Sequence, residues 1–185
     1  MANSHPVFTS QRQSEMQLRK AGAADVAAVM AIERVPGFED YVGRSSQIEH
    51  AEMLASPRYI YLVGVGPQDD VLAFAILRDL DNPHGNLYVK RFVVARAGEG
   101  IGTAFLRLLL EWAFAHTPVH RVYLDRFADN ARAQRLYAKF GFTQDGVLRQ
   151  AYLGPDGHRR DLTLMALTRP EWEASVKSSA TAGPA

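Results

Sequence analysis

One stretch, Leu87 to Phe114 (LYVKRFVVARAGEGIGTAFLRLLLEWAF), limits what this chain can fold into more than any other. Its first part, Leu87 to Val94, is rich in β-branched and aromatic residues, the composition of a strand. Gly98, Gly100 and Gly102 then alternate, and a loop without Cβ atoms turns sharply and admits another group close to its backbone. Neither Gly nor Pro recurs until Pro118, and Phe105, Leu108, Leu109 and Trp112 fall at i, i+3, i+4 and i+7, one helical face. Val119 to Asp125, VHRVYLD, alternates as a second strand. Strand, helix and strand in this order make a crossover, which requires parallel pairing.

The loop has chemical consequences. The first N–H groups of a helix have no partner within it, and the helix dipole makes that end partly positive. A glycine loop feeding such an end suits a phosphate or another anion, with the Thr103 hydroxyl as an added donor. A plain strand-to-helix turn is the other reading of the same glycines. Two nucleotide motifs fit poorly. A dinucleotide fingerprint, G-x-G-x-x-G, would need Gly where Thr103 or Phe105 stands, and a Walker loop would need Lys before Thr103.

At 185 residues the chain is long enough for one domain with a sizeable core. Lys and Arg number 21 against 20 Asp and Glu, so bulk charge points to neither a nucleic-acid nor a membrane partner. The absence of Cys excludes disulfides, thiolate metal sites and a cysteine nucleophile. No apolar stretch approaches a membrane span, the N-terminus lacks the apolar core of a secretory signal, and a cytoplasmic location is expected.

Along the rest of the chain, residues 1–14 read as a flexible leader, 15–170 as the single domain and 171–185 as a flexible, low-complexity tail. A short strand at Gln17–Lys20 precedes a helix from Ala23 to about Glu33 and, after Val35-Pro36-Gly37, a second helix from Ser45 or Ser46 to about Ala55. Arg58–Val63 and Val71–Leu77 form a hairpin, and with the strand from Leu87 they make an antiparallel meander. After Asp125, NARAQRLYAKF places Ala133, Leu136, Tyr137 and Phe140 on one helical face, with Gly141 as the stop. Val147–Leu153 and Asp161–Leu167 are two strands around Gly154-Pro155-Asp156-Gly157. The six histidines show no metal-ligand spacing, and no metal is expected.

Two motifs therefore stand in order, about thirty residues apart. The first, Ala97-Gly98-Glu99-Gly100-Ile101-Gly102, resembles the Q/R-x-x-G-x-G/A loop of the GCN5-related N-acetyltransferase superfamily. The second, from Asn130 to Phe142, resembles its N-A-x-A-x-x-L-Y-x-x-x-G-F helix. The likeness covers about 150 residues, from Gln17 to Leu167. It implies a single α/β (α+β) domain with a mixed, mostly antiparallel sheet of about seven strands and about four flanking helices. One departure stands out: the family's Gln/Arg falls on Ala97, with Arg96 one residue early. Phosphate binding in such loops rests mainly on backbone N–H groups, so cofactor binding is expected to survive.

The resemblance implies acetyl-CoA as cosubstrate. Its pyrophosphate is expected on Gly98, Glu99, Gly100, Ile101, Gly102 and Thr103, and its pantetheine arm along the backbone of Phe92, Val93 and Val94. Asn130 is expected to touch that arm, although the residue is equally an N-cap. Tyr137 is the expected acid that protonates the departing thiolate, whereas periodicity alone makes it a core tyrosine. A backbone N–H near Val94 is the candidate oxyanion donor. Glu33, Glu39, Asp40 and Tyr88 lie toward the expected acceptor side as candidate bases, and each reads more readily as a solvated surface residue or helix-end charge. Lys90 and Arg91 read as one-face charges, and His158, Arg159 and Arg160 as a solvated hairpin tip.

The activity so implied is acetyl transfer to a primary amine by direct attack, without an acyl-enzyme. The acceptor is a small molecule, an amino acid or a protein N-terminus, with the loop Val35–Arg44 selecting it. Such folds also pair through edge strands, so a homodimer is compatible. The competing classes are a non-catalytic acyl-CoA-binding module and a protein holding another nucleotide on the same loop.

Overall fold

A computed structural model describes residues 16–181 of the chain, so the expected leader at 1–14 lies outside the described residues. The elements are β1 (Gln17–Lys20), a 3-10 turn (Ala23–Asp25), α1 (Val26–Glu33), α2 (Gln47–Ala55), β2 (Tyr59–Val65), β3 (Val71–Arg78), β4 (Asn86–Val94), α3 (Ile101–His116), β5 (Arg121–Phe127), α4 (Ala131–Lys139), β6 (Thr143–Leu153), β7 (Arg159–Thr168) and α5 (Arg169–Thr181). The strands form one seven-stranded sheet in the order β1-β2-β3-β4-β5-β7-β6. Neighbours run antiparallel except β4 and β5, which the α3 crossover makes parallel.

Apolar side chains alternate across this sheet and bury on both faces. On one face Phe105, Leu106, Leu109, Leu110 and Phe114 of α3 pack on Leu62, Ala75, Leu87 and Val122. On the other, Val29 and Ile32 of α1 pack on Tyr61, Val63, Phe74, Ile76 and Val93. Ser46 starts α2 through a reciprocal cap: its hydroxyl accepts from the Glu49 N–H at 3.2 Å, and the Glu49 carboxylate accepts from the Ser46 N–H at 2.6 Å.

Three boundaries differ from the sequence reading. Ala23–Asp25 is a 3-10 turn rather than α-helix, because the Asp25 carboxylate holds the Gly22 N–H at 2.8 Å and the Arg19 guanidinium at 2.9 Å. β6 begins at Thr143 rather than Val147, as an edge strand whose two faces are largely exposed and so carry no apolar alternation. Of the residues read as a flexible tail at 171–185, those from 171 to 181 belong to α5, a fifth α-helix among the described residues. Trp172 anchors that helix by stacking on Phe114 at 5.3 Å, and the Glu171 carboxylate accepts from the Thr168 N–H and hydroxyl at 2.8 and 2.7 Å.

Candidate active site

The parallel pairing of β4 with β5 stops after three residue pairs, the last being Tyr88 with Tyr123. Beyond it the two strands line opposite sides of a cavity of about 1150 Å³, with Val89–Val94 on one wall and Leu124–Phe127 on the other. The β3–β4 register slips where Ile76 faces Arg91 and Leu77 faces Val89, leaving Lys90 as an extra residue. Such a bulge turns backbone groups out of the ladder next to the cleft.

The glycine loop closes one end. Gly98 and Gly100 have φ of +87° and +77°, the left-handed region that a Cβ disfavours. Gly100 is the N-cap of α3 without any side-chain cap, and the first N–H bonded within the helix belongs to Ala104. The N–H groups of Ile101, Gly102 and Thr103 therefore lack helical partners. Arg96, Arg132, Arg135 and Lys139 line the same cavity, a cationic surround for phosphate. Of the expected loop residues, Gly98, Gly100, Gly102 and Thr103 line it, whereas the Ile101 side chain turns into the core and Glu99 pairs outward with Arg96 at 2.9 Å.

Phe92, Val93, Val94 and Asn130 line the cavity as well. Phe92 and Val94 pack on the α3 face, while Val93 packs on the α1 face, which leaves only its backbone for a ligand. The Asn130 Oδ1 accepts from the Ala133 N–H at 3.0 Å, so the cap is made and the amide N–H groups are left over. The buried Arg126 fixes this corner by donating to the Phe127 and Ala128 carbonyls at 2.8 and 3.1 Å.

Tyr137 rises from α4 into the middle of the cleft, its ring edge-on to Phe92 at 6.2 Å and tilted against Phe142 at 5.6 Å. The residue is 7% exposed, and none of the described residues hydrogen-bonds its hydroxyl. Burial, and then the charge of Asp125, hold that hydroxyl well above the ordinary phenol range. The side chain thus has the packing of a core residue and a hydroxyl left for a ligand.

The far end holds Asp125, which the sequence reading passed over as a strand residue. The Tyr88 hydroxyl donates to Asp125 Oδ2 at 2.5 Å, while Oδ1 accepts from no described residue. Burial and this bond to Asp125 keep the Tyr88 phenol protonated well above its usual range. Lys90 also lines the cleft, its ammonium pKa lowered by partial desolvation and then by Arg91. Tyr41, Phe127 and Tyr152 form an aromatic wall, with ring centroids 6.0 Å apart for the first pair and 4.8 Å for the second. Arg160 does not project from a solvated tip: its guanidinium lies 4.8 Å from the Phe127 ring and 5.6 Å from that of Tyr152.

The other acids named from the sequence are elsewhere. Glu33 is wholly buried, not solvated: it pairs with Arg91, meets His50 Nε2 at 3.2 Å and accepts from the Ser45 N–H at 3.2 Å. Arg91 is correspondingly one side of a buried pair rather than a face charge. His50, equally buried, reaches the Tyr61 hydroxyl with Nδ1 at 3.0 Å. Glu39 accepts from the Gly37 N–H at 2.7 Å and lies 3.7 Å from Arg44. Glu33, Glu39 and Asp40 do not line the cavity.

A profile of the Acetyltransferase (GNAT) family matches residues 27–142, well over half of the chain, and the chain belongs to that family. Among particular relatives, the spermine/spermidine N(1)-acetyltransferase of Bacillus subtilis (strain 168) is 32% identical over 97 residues, 49% of this chain. The match takes in 64% of that relative's length. The crystal structure of the Vibrio cholerae spermidine N-acetyltransferase in complex with CoA and spermine superposes with a TM-score of 0.76 at 18% identity, covering 86% of this chain and 99% of that one. The second likeness is one of fold.

Proposed function

We propose that the protein transfers an acetyl group from acetyl-CoA to the primary amine of a small molecule. The observation that carries this reading is the Tyr137 hydroxyl, bonded by none of the described residues, in a cleft that also holds unpaired helix N–H groups and Asp125. The donor set suits a phosphate-bearing thioester: the Gly98–Thr103 backbone with Arg96, Arg132, Arg135 and Lys139 for phosphate, and the free β4 edge for an extended arm. Ala97, in place of the family's Gln/Arg, leaves this backbone set whole. Relatives named for polyamine acceptors support a small-molecule amine as the acceptor class.

Acetyl-CoA supplies an acetyl group activated as a thioester. The amine nitrogen forms the new C–N bond as the C–S bond breaks. Tyr137 Oη holds the proton that the departing sulfur needs, and its raised pKa keeps that proton in place at neutral pH. Asp125 Oδ1 faces the incoming ammonium and takes up the proton the nitrogen sheds, directly or through water. A backbone N–H near Val94 is the donor for the carbonyl oxygen. Among the described cavity-lining residues there is neither Cys nor Ser, and the aliphatic hydroxyl is that of Thr103 on the loop, which supports direct attack.

The test is thermal unfolding with CoA, acetyl-CoA, ATP and NAD, followed by thiol release with an amine panel. Acetyl-CoA and CoA raise the midpoint by mass action. Tyr137→Phe lowers kcat by roughly 10²–10⁴-fold with the midpoint shift retained. Protection by a nucleotide but by neither CoA species would assign the loop to a different ligand. Protection by CoA without thiol release from any amine would leave a binding module.

A further inference from the structure

We infer that the acceptor carries a single ammonium on an apolar, ring-bearing body and is not a linear polyamine; the inference rests on the acetyl-transfer reading above. The acceptor end offers one carboxylate, Asp125, whose Oδ1 is open to the cleft. The other carboxylate lining the cavity, Asp129, stands in the turn before α4, beside Asn130 and Arg132. Glu33 is consumed by Arg91, His50 and the Ser45 N–H. One ammonium is therefore matched at the acceptor end, and a further one placed along the ring-bearing wall sits without a counter-charge there.

The far wall is apolar and cationic. Tyr41, Phe127 and Tyr152 present rings, and Leu148 and Leu162 complete the surface. Behind the rings lies Arg160, which no carboxylate pairs among the described residues. Its Nη1 reaches only the Asp40 carbonyl, at 3.5 Å, and its Nε is buried without a hydrogen-bond partner. Aromatic faces can bind alkylammonium groups, but here Arg160 already lies against one face of Phe127 and of Tyr152, so a cation on the opposite faces meets its charge. A second substrate cation placed along this wall meets like charge from Arg160, and Lys90 on the β4 wall adds a further cation to the cavity. A neutral ring meets only the stacking and burial that the wall provides.

The discriminating experiment compares 2-phenylethylamine with spermidine at saturating acetyl-CoA, measuring thiol release, and repeats the comparison as equilibrium binding to the CoA-saturated protein by calorimetry. We expect kcat/KM for the ring-bearing monoamine to exceed that for spermidine by at least about tenfold. Asp125→Asn raises its KM by about tenfold or more while the CoA-induced midpoint shift persists. Arg160→Gln removes the repelling cation and raises spermidine relative to 2-phenylethylamine by several-fold. Spermidine turned over or bound as well as the monoamine overturns the inference, as does an Asp125→Asn enzyme with unchanged KM. The binding order separates the two readings: tighter monoamine binding without thiol release counts against acetyl transfer and upholds the acceptor class.

Discussion

Removing the Glu33 carboxylate, wholly buried outside the cleft, is expected to destabilise the protein strongly. Glu33→Ala would strip a wholly buried carboxylate from Arg91, whose side chain is 13% exposed, and from His50, which is 0% exposed. It would also leave the Ser45 N–H without its acceptor. Breaking a buried pair from one side costs about 3–5 kcal/mol, because the other charge stays buried. Arg34, at 3.5 Å with 39% of its side chain exposed, adds little. For a domain of this size, where 1 kcal/mol shifts Tm by about 2–4 °C, the loss is roughly 6–20 °C. Thermal unfolding followed by circular dichroism reads this directly. Replacing both charges, Glu33→Leu with Arg91→Met, should cost less than the sum of the single changes, because neither partner is then left unpaired. Because Ser45 and Arg34 tie the segment 34–45 to this cluster, the single variant should also raise the acceptor KM while acetyl-CoA still protects. A Glu33→Ala protein within about 1 kcal/mol of the parent, or strictly additive single and double variants, would refute the reasoning.

Three further outcomes are expected. Gly64→Ala places a Cβ 2.7 Å from Phe105 Cδ2 and 2.9 Å from Met16 Sδ, and such overpacking costs about 1–3 kcal/mol, visible in the urea midpoint; a parent-like midpoint would show that β2 and α3 separate freely. Stability should fall as pH rises past about 10. Tyr61, Tyr88 and Tyr137 are all raised by burial, so their contribution is complete below the unfolded phenol pKa and is lost as pH climbs toward the folded values. In Tyr137→Phe that alkaline decline should be shallower, and an identical slope would contradict the assignment. Trp172→Ala removes the stack on Phe114 and should cost about 1–3 kcal/mol while exposing α5 to limited proteolysis; an α5 that stays protected would mean that other contacts hold it.

The legible parts of this protein are those whose signal is local in the chain. The period-3.6 face of α3 and the glycines before it located that helix and the loop that opens it, and Ala133, Leu136 and Tyr137 located α4. Both helices pack one stripe against the sheet, so their apolar spacing is forced by burial. β6 escaped at its start because an exposed edge strand has no buried face to write an alternation. α5 was missed because a few contacts, Trp172 on Phe114 and the Glu171 cap, hold a helix whose residues 173–178 are all exposed.

The sequence by itself determined the order of elements, the crossover, the glycine loop that opens α3 and the residue of α4 that lines the cleft. Tertiary structure alone decided which charges are available for chemistry. Glu33 looked like an acceptor-side acid until Arg91, 58 positions away, was found to neutralise it, while Asp125 became the open carboxylate through Tyr88, 37 positions away. Arg160 turned from a hairpin tip into a cation packed against the Phe127 and Tyr152 rings, its Nη1 reaching the Asp40 carbonyl, 120 positions away. Hydrophobic periodicity records burial along a few turns of chain. An ionisable side chain takes its role from whichever opposite charge, ring or low-dielectric surface folding brings beside it, and no local pattern encodes that neighbour.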